Sequence, residues 1–287
     1  DSLNVRGEVL GSSLYRNEDR GASARGHVAL DNVLGVPRGT VGFELDTLVL
    51  GGVRVDTIGA EVRLATRTSG TFQLGALSDN GPTFAAAGLV ARDSTKWTMT
   101  VQSVGLDLGQ DVWALAAPAD IRIEPALTAG ATLRLINGRG GAFTVAGFVP
   151  EHDPVSVRLR ADSVPVRDAA TLLQIADTMS GWGSLRVDVT GTRDQPRATA
   201  DAELSDLHYG EMQLQRVGAH ASYLDGRTGA AVTVFRDGAP ALQATASLPM
   251  ELTLSGAPRL LPDSLRGTIR ADSADFAIIE AFVPAVT

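Results

Sequence analysis

Val155-Ser-Val157-Arg-Leu159-Arg160-Ala161-Asp162-Ser163 is the stretch on which the reading of this chain turns. Aliphatic side chains alternate with Ser156, Arg158 and Arg160. A period of two is the pattern of a strand with one dry face and one wet face. The same parity returns in Leu185-Arg-Val187-Asp-Val189-Thr, in Leu248-Pro-Met250-Glu-Leu252-Thr-Leu254-Ser and in Leu265-Arg-Gly-Thr-Ile269-Arg. It also governs Ala119-Asp-Ile121-Arg-Ile123-Glu, Leu133-Arg-Leu135 and the stretch from Val53 to Thr66. Helix packing has a period of 3.6 and cannot produce this. Antiparallel strands, half buried, follow.

Turn signals separate the runs: Gly51-Gly52, Ser78 to Gly81, Asn137-Gly138, Asp225-Gly226 and Asp237-Gly238. Asn-Gly and Asp-Gly supply the positive φ angles of two-residue hairpins, so the strands are expected to form a meander. Pro249 lies inside an alternating run, which predicts an edge strand or a bulge because proline donates nothing to a ladder.

Two segments break the alternation. Ala169, Leu172, Leu173, Ala176 and Met179 fall at helical spacing, predicting a helix from Pro165 toward Gly181. Phe276, Ile279 and Val283 predict a second, between Asp275 and Pro284. Arg160-Ala-Asp-Ser163 and Arg270-Ala-Asp-Ser273 each read as ending an alternating strand and opening one of these helices, 110 residues apart. A strand-and-helix unit copied along a chain predicts a modular array rather than a globule around one pocket.

Composition narrows the function. The net charge of −8 disfavours nucleic acid, whose phosphates need a basic partner surface. Lys96 is the only lysine, so 24 of the 25 basic residues are arginine. Compositional bias is one reading of that excess; bidentate anion binding is the other. With Cys 0 there is no disulfide framework, thiolate metal site or cysteine nucleophile. No apolar run approaches the roughly 20 residues of a membrane-spanning helix. The chain begins at Asp1, which reads as an internal piece of a longer protein.

Catalytic patterns are missing. His27, His152, His208 and His220 are too scattered for metal-ligand spacing, and no nucleotide-binding or nucleophile-elbow motif occurs. Asp188, Glu203 and Glu251 occupy outward strand positions, and Asp162 and Asp272 suit capping ahead of the helices. Trp97, Trp113 and Trp182 read as sheet-face or core packing before sugar platforms. The expectation is a non-enzyme, with no cofactor and no metal.

Gly181-Trp-Gly-Ser-Leu-Arg-Val-Asp-Val-Thr-Gly-Thr192, followed by Gln195-Pro196-Arg197 and Ala202-Glu-Leu-Ser-Asp-Leu207, resembles the repeated units of the TamB (translocation and assembly module) family. Leu265-Arg-Gly-Thr-Ile-Arg-Ala-Asp-Ser273 and its predicted helix are similar to that family's strand-then-helix segment, and Trp113 to Ile123 with Phe143 to Gly147 to its meander. The family belongs with the AsmA-like, bridge-type lipid transfer proteins. The resemblance implies an all-β fold with two short helices, an elongated antiparallel meander curled into an open apolar groove (a β-taco). It implies a periplasmic location, in a protein anchored in the inner membrane outside this segment. The activity implied is phospholipid transfer between inner and outer membranes and support of outer-membrane protein and autotransporter assembly. An outer-membrane barrel partner would be reached through regions outside this chain.

On that reading residues 1–162 form a groove segment, 163–272 a repeat opening with a helix, and 273–287 the start of the next, all in one continuous sheet system of on the order of 17 strands at ~4.8 Å spacing. Phospholipid acyl chains would lie along Leu133, Leu135, Val157, Leu159, Leu185, Val187, Val189, Met250, Leu252, Leu254 and Ile269. Each buried CH₂ contributes about 0.8 kcal/mol, so such a lining holds a chain without specific polar contacts. The rival expectation is a repetitive β-sandwich or solenoid serving as an adhesin or carbohydrate-binding stalk.

Overall fold

A computed structural model describes residues 3–16, 19–50, 53–78, 81–124, 127–150, 154–174, 179–209, 212–254, 259–262 and 264–271. Among the described residues the fold is all-β and antiparallel, with 19 strands and one short helix. Two compact units divide it, residues 1–140 with 168–175, and residues 141–167 with 176–287.

In the first unit seven long strands pair consecutively: β1 (Val5–Arg16), β2 (Asp19–Asp31), β3 (Arg38–Leu50), β4 (Val53–Leu64), β5 (Ser69–Leu77), β6 (Thr83–Asp93) and β7 (Lys96–Asp107). The next position in the sheet is shared by two short strands. β8 (Val112–Leu115) pairs with the far end of β7 and β9 (Ala119–Glu124) with its beginning. Both then pair with β10 (Leu127–Asn137). Pro118 stands at the interruption, where a residue without an N–H breaks a ladder at least cost.

The second unit repeats the plan: β11 (Ala142–Pro150), β12 (Ser156–Pro165), β13 (Met179–Gly191), β14 (Pro196–Tyr209), β15 (Met212–Leu224), β16 (Arg227–Arg236) and β17 (Ala239–Glu251) each pair with the next. On its outer side β17 pairs with β19 (Arg266–Ala271) through Ser247 and with β18 (Arg259–Leu260) at Met250 and Glu251. Pro249 lies where the β18 ladder ends, its C=O accepting from Leu261 N–H at 3.1 Å, so its missing N–H falls at the margin of a ladder rather than inside one. The hairpins at Asp225-Gly226 (φ 48° and 75°) and Asp237-Gly238 (φ 51° and 77°) have the double positive φ of type I′ turns, as the dipeptides predict.

The helix differs from its sequence reading. α1 (Val166–Leu172) is shorter, and Pro165 belongs to β12, opposite Trp182. The buried residues are Val166, Asp168 and Ala170, whereas Ala169, Leu172 and Leu173 are exposed and Met179 opens β13. Seven residues make barely two turns, too few to hold themselves. Contacts of the opening turn, rather than an apolar stripe, set which residues are covered. Arg160-Ala-Asp-Ser163 does not end its strand either. Ser163 takes φ 51° and the register slips between Ala161 and Val164, a bulge after which the strand resumes. Asp162 caps nothing: its two oxygens accept from Arg160 Nε at 3.0 and 2.8 Å. The second predicted helix, with Asp272, lies outside the described residues, as does His152.

Candidate functional site

Cross-strand register sorts the second unit's side chains onto two faces of opposite character. One row runs Val145–Leu159–Val187–Ala200–Ala221–Ala230–Ala246, each residue directly opposite the next. A second runs Phe143–Ala161–Leu185–Ala202–Ala219–Val232–Ala244 and reaches Ile269 on β19. A third runs Val157–Val189–Ala198–Tyr223–Thr228–Leu248. Every one of these belongs to the same face, because same-face residues recur every second position. The intervening rows carry Arg158, Asp188 and Ser222, or Arg160, Arg186, Asp201 and His220.

Seven of the eleven expected lining residues meet on this apolar face: Val157, Leu159, Leu185, Val187, Val189, Met250 and Ile269. Most are half buried, while Ile269 on β19 is 72% exposed. Leu252 and Leu254 follow β17 instead of lying in a strand. Leu133 and Leu135 belong to the first unit, both half buried on β10, with Leu135 opposite Leu115.

Both strand ends of this face are closed by the chain itself. At one end Val166, from the start of α1, packs with Leu207, Leu214 and Val234, against Met179, Leu204, Val217 and Leu242. Asp206 has φ 50°, a local reversal that lets Leu207 join this cluster. Burial of each such aliphatic contributes about 1.5–3 kcal/mol. At the other end the segment after β17 crosses the strand termini. The Tyr223 hydroxyl accepts from Leu252 N–H at 3.0 Å and donates to Leu252 C=O at 3.4 Å, and Leu254 N–H donates to Arg193 C=O at 2.7 Å. Arg193 in turn donates to the carbonyls of Pro150 and Val149 at 2.8 and 3.0 Å. Val155 is buried here, its N–H bonded to Gly191 C=O at 2.6 Å.

The first unit has its own apolar face. Val28, Val41, Val62 and Phe72 form one row, and Val9, Phe43, Ala60, Leu74 and Ala86 the next. Val9, Val41, Phe43 and Leu74 are exposed, whereas Phe72 is buried. At one margin Trp113 is buried and its indole N–H donates to buried Asp168 at 2.8 Å. Nearby Arg139 pairs with buried Asp111 at 2.8 Å. Trp97 and Trp182 remain over one-third exposed, and Arg92 lies 5.4 Å from the Trp97 ring.

The alanines of β14 to β17, Tyr223 and the apolar positions of β2, β3, β5 and β6 escaped the sequence reading, which picks out only the alternating stretch from Val53 to Thr66 in this part of the chain. The signal was available in Ala198-Thr-Ala200-Asp-Ala202-Glu-Leu204, whose alternation is clean but written in small residues. Among the described residues no group of three or more His, Asp or Glu side chains could hold a metal, and no helix is long and apolar enough to cross a membrane.

Fold and faces together define a class, an antiparallel meander whose strands each have an apolar and a polar side. No protein-family model, curated protein or solved structure matches the chain.

Proposed function

We propose that this chain is a periplasmic segment of a TamB-type protein, in which the apolar strand face carries phospholipid acyl chains between the inner and outer membranes. One observation carries the reading. The rows through Leu159, Val187, Leu185 and Val232 run unbroken across the strands of the second unit and stay partly open to solvent. A face sealed by the protein's own second layer would bury these side chains as fully as Val234, which is 2% exposed. Half-open aliphatics cost solvation in the empty state, and an acyl chain of 16 carbons recovers on the order of 10 kcal/mol at about 0.8 per CH₂.

The mechanism is passive. Small residues such as Ala200, Ala202, Ala219 and Ala221 give a low floor with no polar group to grip a chain, so lipid slides with little discrimination. Head groups remain in water. The same chain supports outer-membrane protein assembly through parts outside this segment.

Lipid co-purification tests this. The wild-type chain expressed in a diderm host should carry phospholipid detectable by mass spectrometry after solvent extraction. Val187→Asp should lose it, while Arg158→Asp, on the wet face of the neighbouring strand β12, should retain it. Val187→Thr, close in shape, separates loss of fold from loss of greasiness by retaining part of the load. Equal loss in Val187→Asp and Arg158→Asp would refute the assignment, as would lipid-free wild-type protein.

A further inference from the structure

The two strand ends of the second unit's apolar face are closed by different forces. At the α1 end the closure is apolar: Val166, Leu207, Leu214 and Val234 pack on one another, each less than one-tenth exposed. At the other end it is a strap, residues 252–254, which leaves β17 and crosses the strand termini. No side chain of the strap is buried, and Leu254 is 47% exposed. Among the described residues three hydrogen bonds hold it. Two involve one hydroxyl, that of Tyr223, with the N–H and C=O of Leu252 at 3.0 and 3.4 Å. The third runs from Leu254 N–H to Arg193 C=O at 2.7 Å. Hydrogen bonds of an uncovered segment are exchanged for bonds to water at little net cost, whereas parting the aliphatic cluster exposes apolar surface without compensation. Local opening therefore occurs at the strap first.

The strap meets the apolar face at the end of one of its rows. Tyr223 is 7% exposed and stands directly opposite Ala198, with Val189 and Val157 next in the same row. Parting the strap from Tyr223 uncovers that row. Beside Tyr223 lies a depression of about 650 Å³ with a polar rim that includes Thr190, Gln195, Asp225 and Arg259. From this asymmetry we infer that residues 252–254 form a gate by which phospholipid enters and leaves the apolar face. Acyl chains pass Tyr223 while the head group stays solvated in the depression. The gate rests on the acyl-chain assignment of that face, to which it adds an entry side and a closed state.

Lipid uptake by the full chain from phosphatidylethanolamine vesicles, doped with a phospholipid carrying a self-quenching fluorophore on its acyl chain, tests the gate. Wild type should take up the labelled lipid. The chain has Cys 0, so Arg193→Cys with Leu254→Cys introduces one cross-linkable pair, at positions whose backbones are already hydrogen-bonded. Oxidised, that protein should take up lipid at least about tenfold more slowly than when reduced, because the strap can no longer open locally. Tyr223→Phe releases both bonds to Leu252 and should speed uptake about threefold or more. Val234→Ala loosens the opposite end and should stay within about twofold of wild type. The Tyr223→Phe and Val234→Ala rates decide the matter independently of the cysteine pair. Equal uptake by oxidised and reduced protein, or greater acceleration in Val234→Ala than in Tyr223→Phe, overturns the gate and leaves the acyl-chain face standing, since lipid still loads. No uptake by wild type removes the face itself, and the gate with it.

Discussion

Trp113 and Asp168 are joined by a buried hydrogen bond, the indole N–H donating to the carboxylate at 2.8 Å across 55 residues of sequence. Trp113 is 4% and Asp168 2% exposed. An indole N–H has no alternative partner once its acceptor is removed and water is excluded. Asp168→Ala should therefore destabilise the first unit by about 1–3 kcal/mol, the cost of an unsatisfied buried donor. Urea unfolding followed by tryptophan fluorescence measures this, and an unchanged midpoint would show that the contact contributes nothing.

Tyr223 closes one end of the second unit's apolar face through a single hydroxyl that bonds both the N–H and the C=O of Leu252. Tyr223→Phe keeps the ring and removes both bonds. The expected cost is about 0.5–1.5 kcal/mol per bond at most, with faster amide exchange at Leu252. Exchange at Leu252 as slow as in wild type would mean that the crossing segment is held by something other than Tyr223.

Two glycines in adjacent strands should respond oppositely to alanine. Gly39 has φ 141°, and an added Cβ would run into the carbonyl oxygen of Ala29 on the paired strand. Gly39→Ala should cost at least about 1–3 kcal/mol through backbone strain. Gly59 has nothing within 4 Å of an added Cβ. Gly59→Ala should be neutral or stabilising by up to about 1 kcal/mol, because alanine loses less conformational freedom. Similar denaturation midpoints for the two variants would contradict the register of β2, β3 and β4.

Strand parity was legible because it depends on one property, the apolar or polar nature of every second residue. Val157, Leu159, Leu185 and Val187 therefore fell on one face as read. Two things were hidden. Bulges at Ser163 and Asp206 depend on left-handed backbone that neither serine nor aspartate announces, so the strand at Ala161 continued where it seemed to stop. The helix was hidden for a related reason. Its spacing suggested Leu172 and Leu173, but a two-turn helix is oriented by what its first turn touches, and Val166 and Asp168 have partners far away in sequence. Alanine rows went unread because alanine is weakly hydrophobic, although Ala200 and Ala221 stand directly opposite each other on the apolar face.

The account rests on the apolar strand face meeting lipid, and photocrosslinking in the living cell envelope tests that contact directly. A photoreactive side chain at Leu185 should capture phospholipid, and the same side chain at Arg186, one residue along β13 on the polar face, should not. Capture at Arg186 alone, or protein adducts without lipid at Leu185, would contradict it.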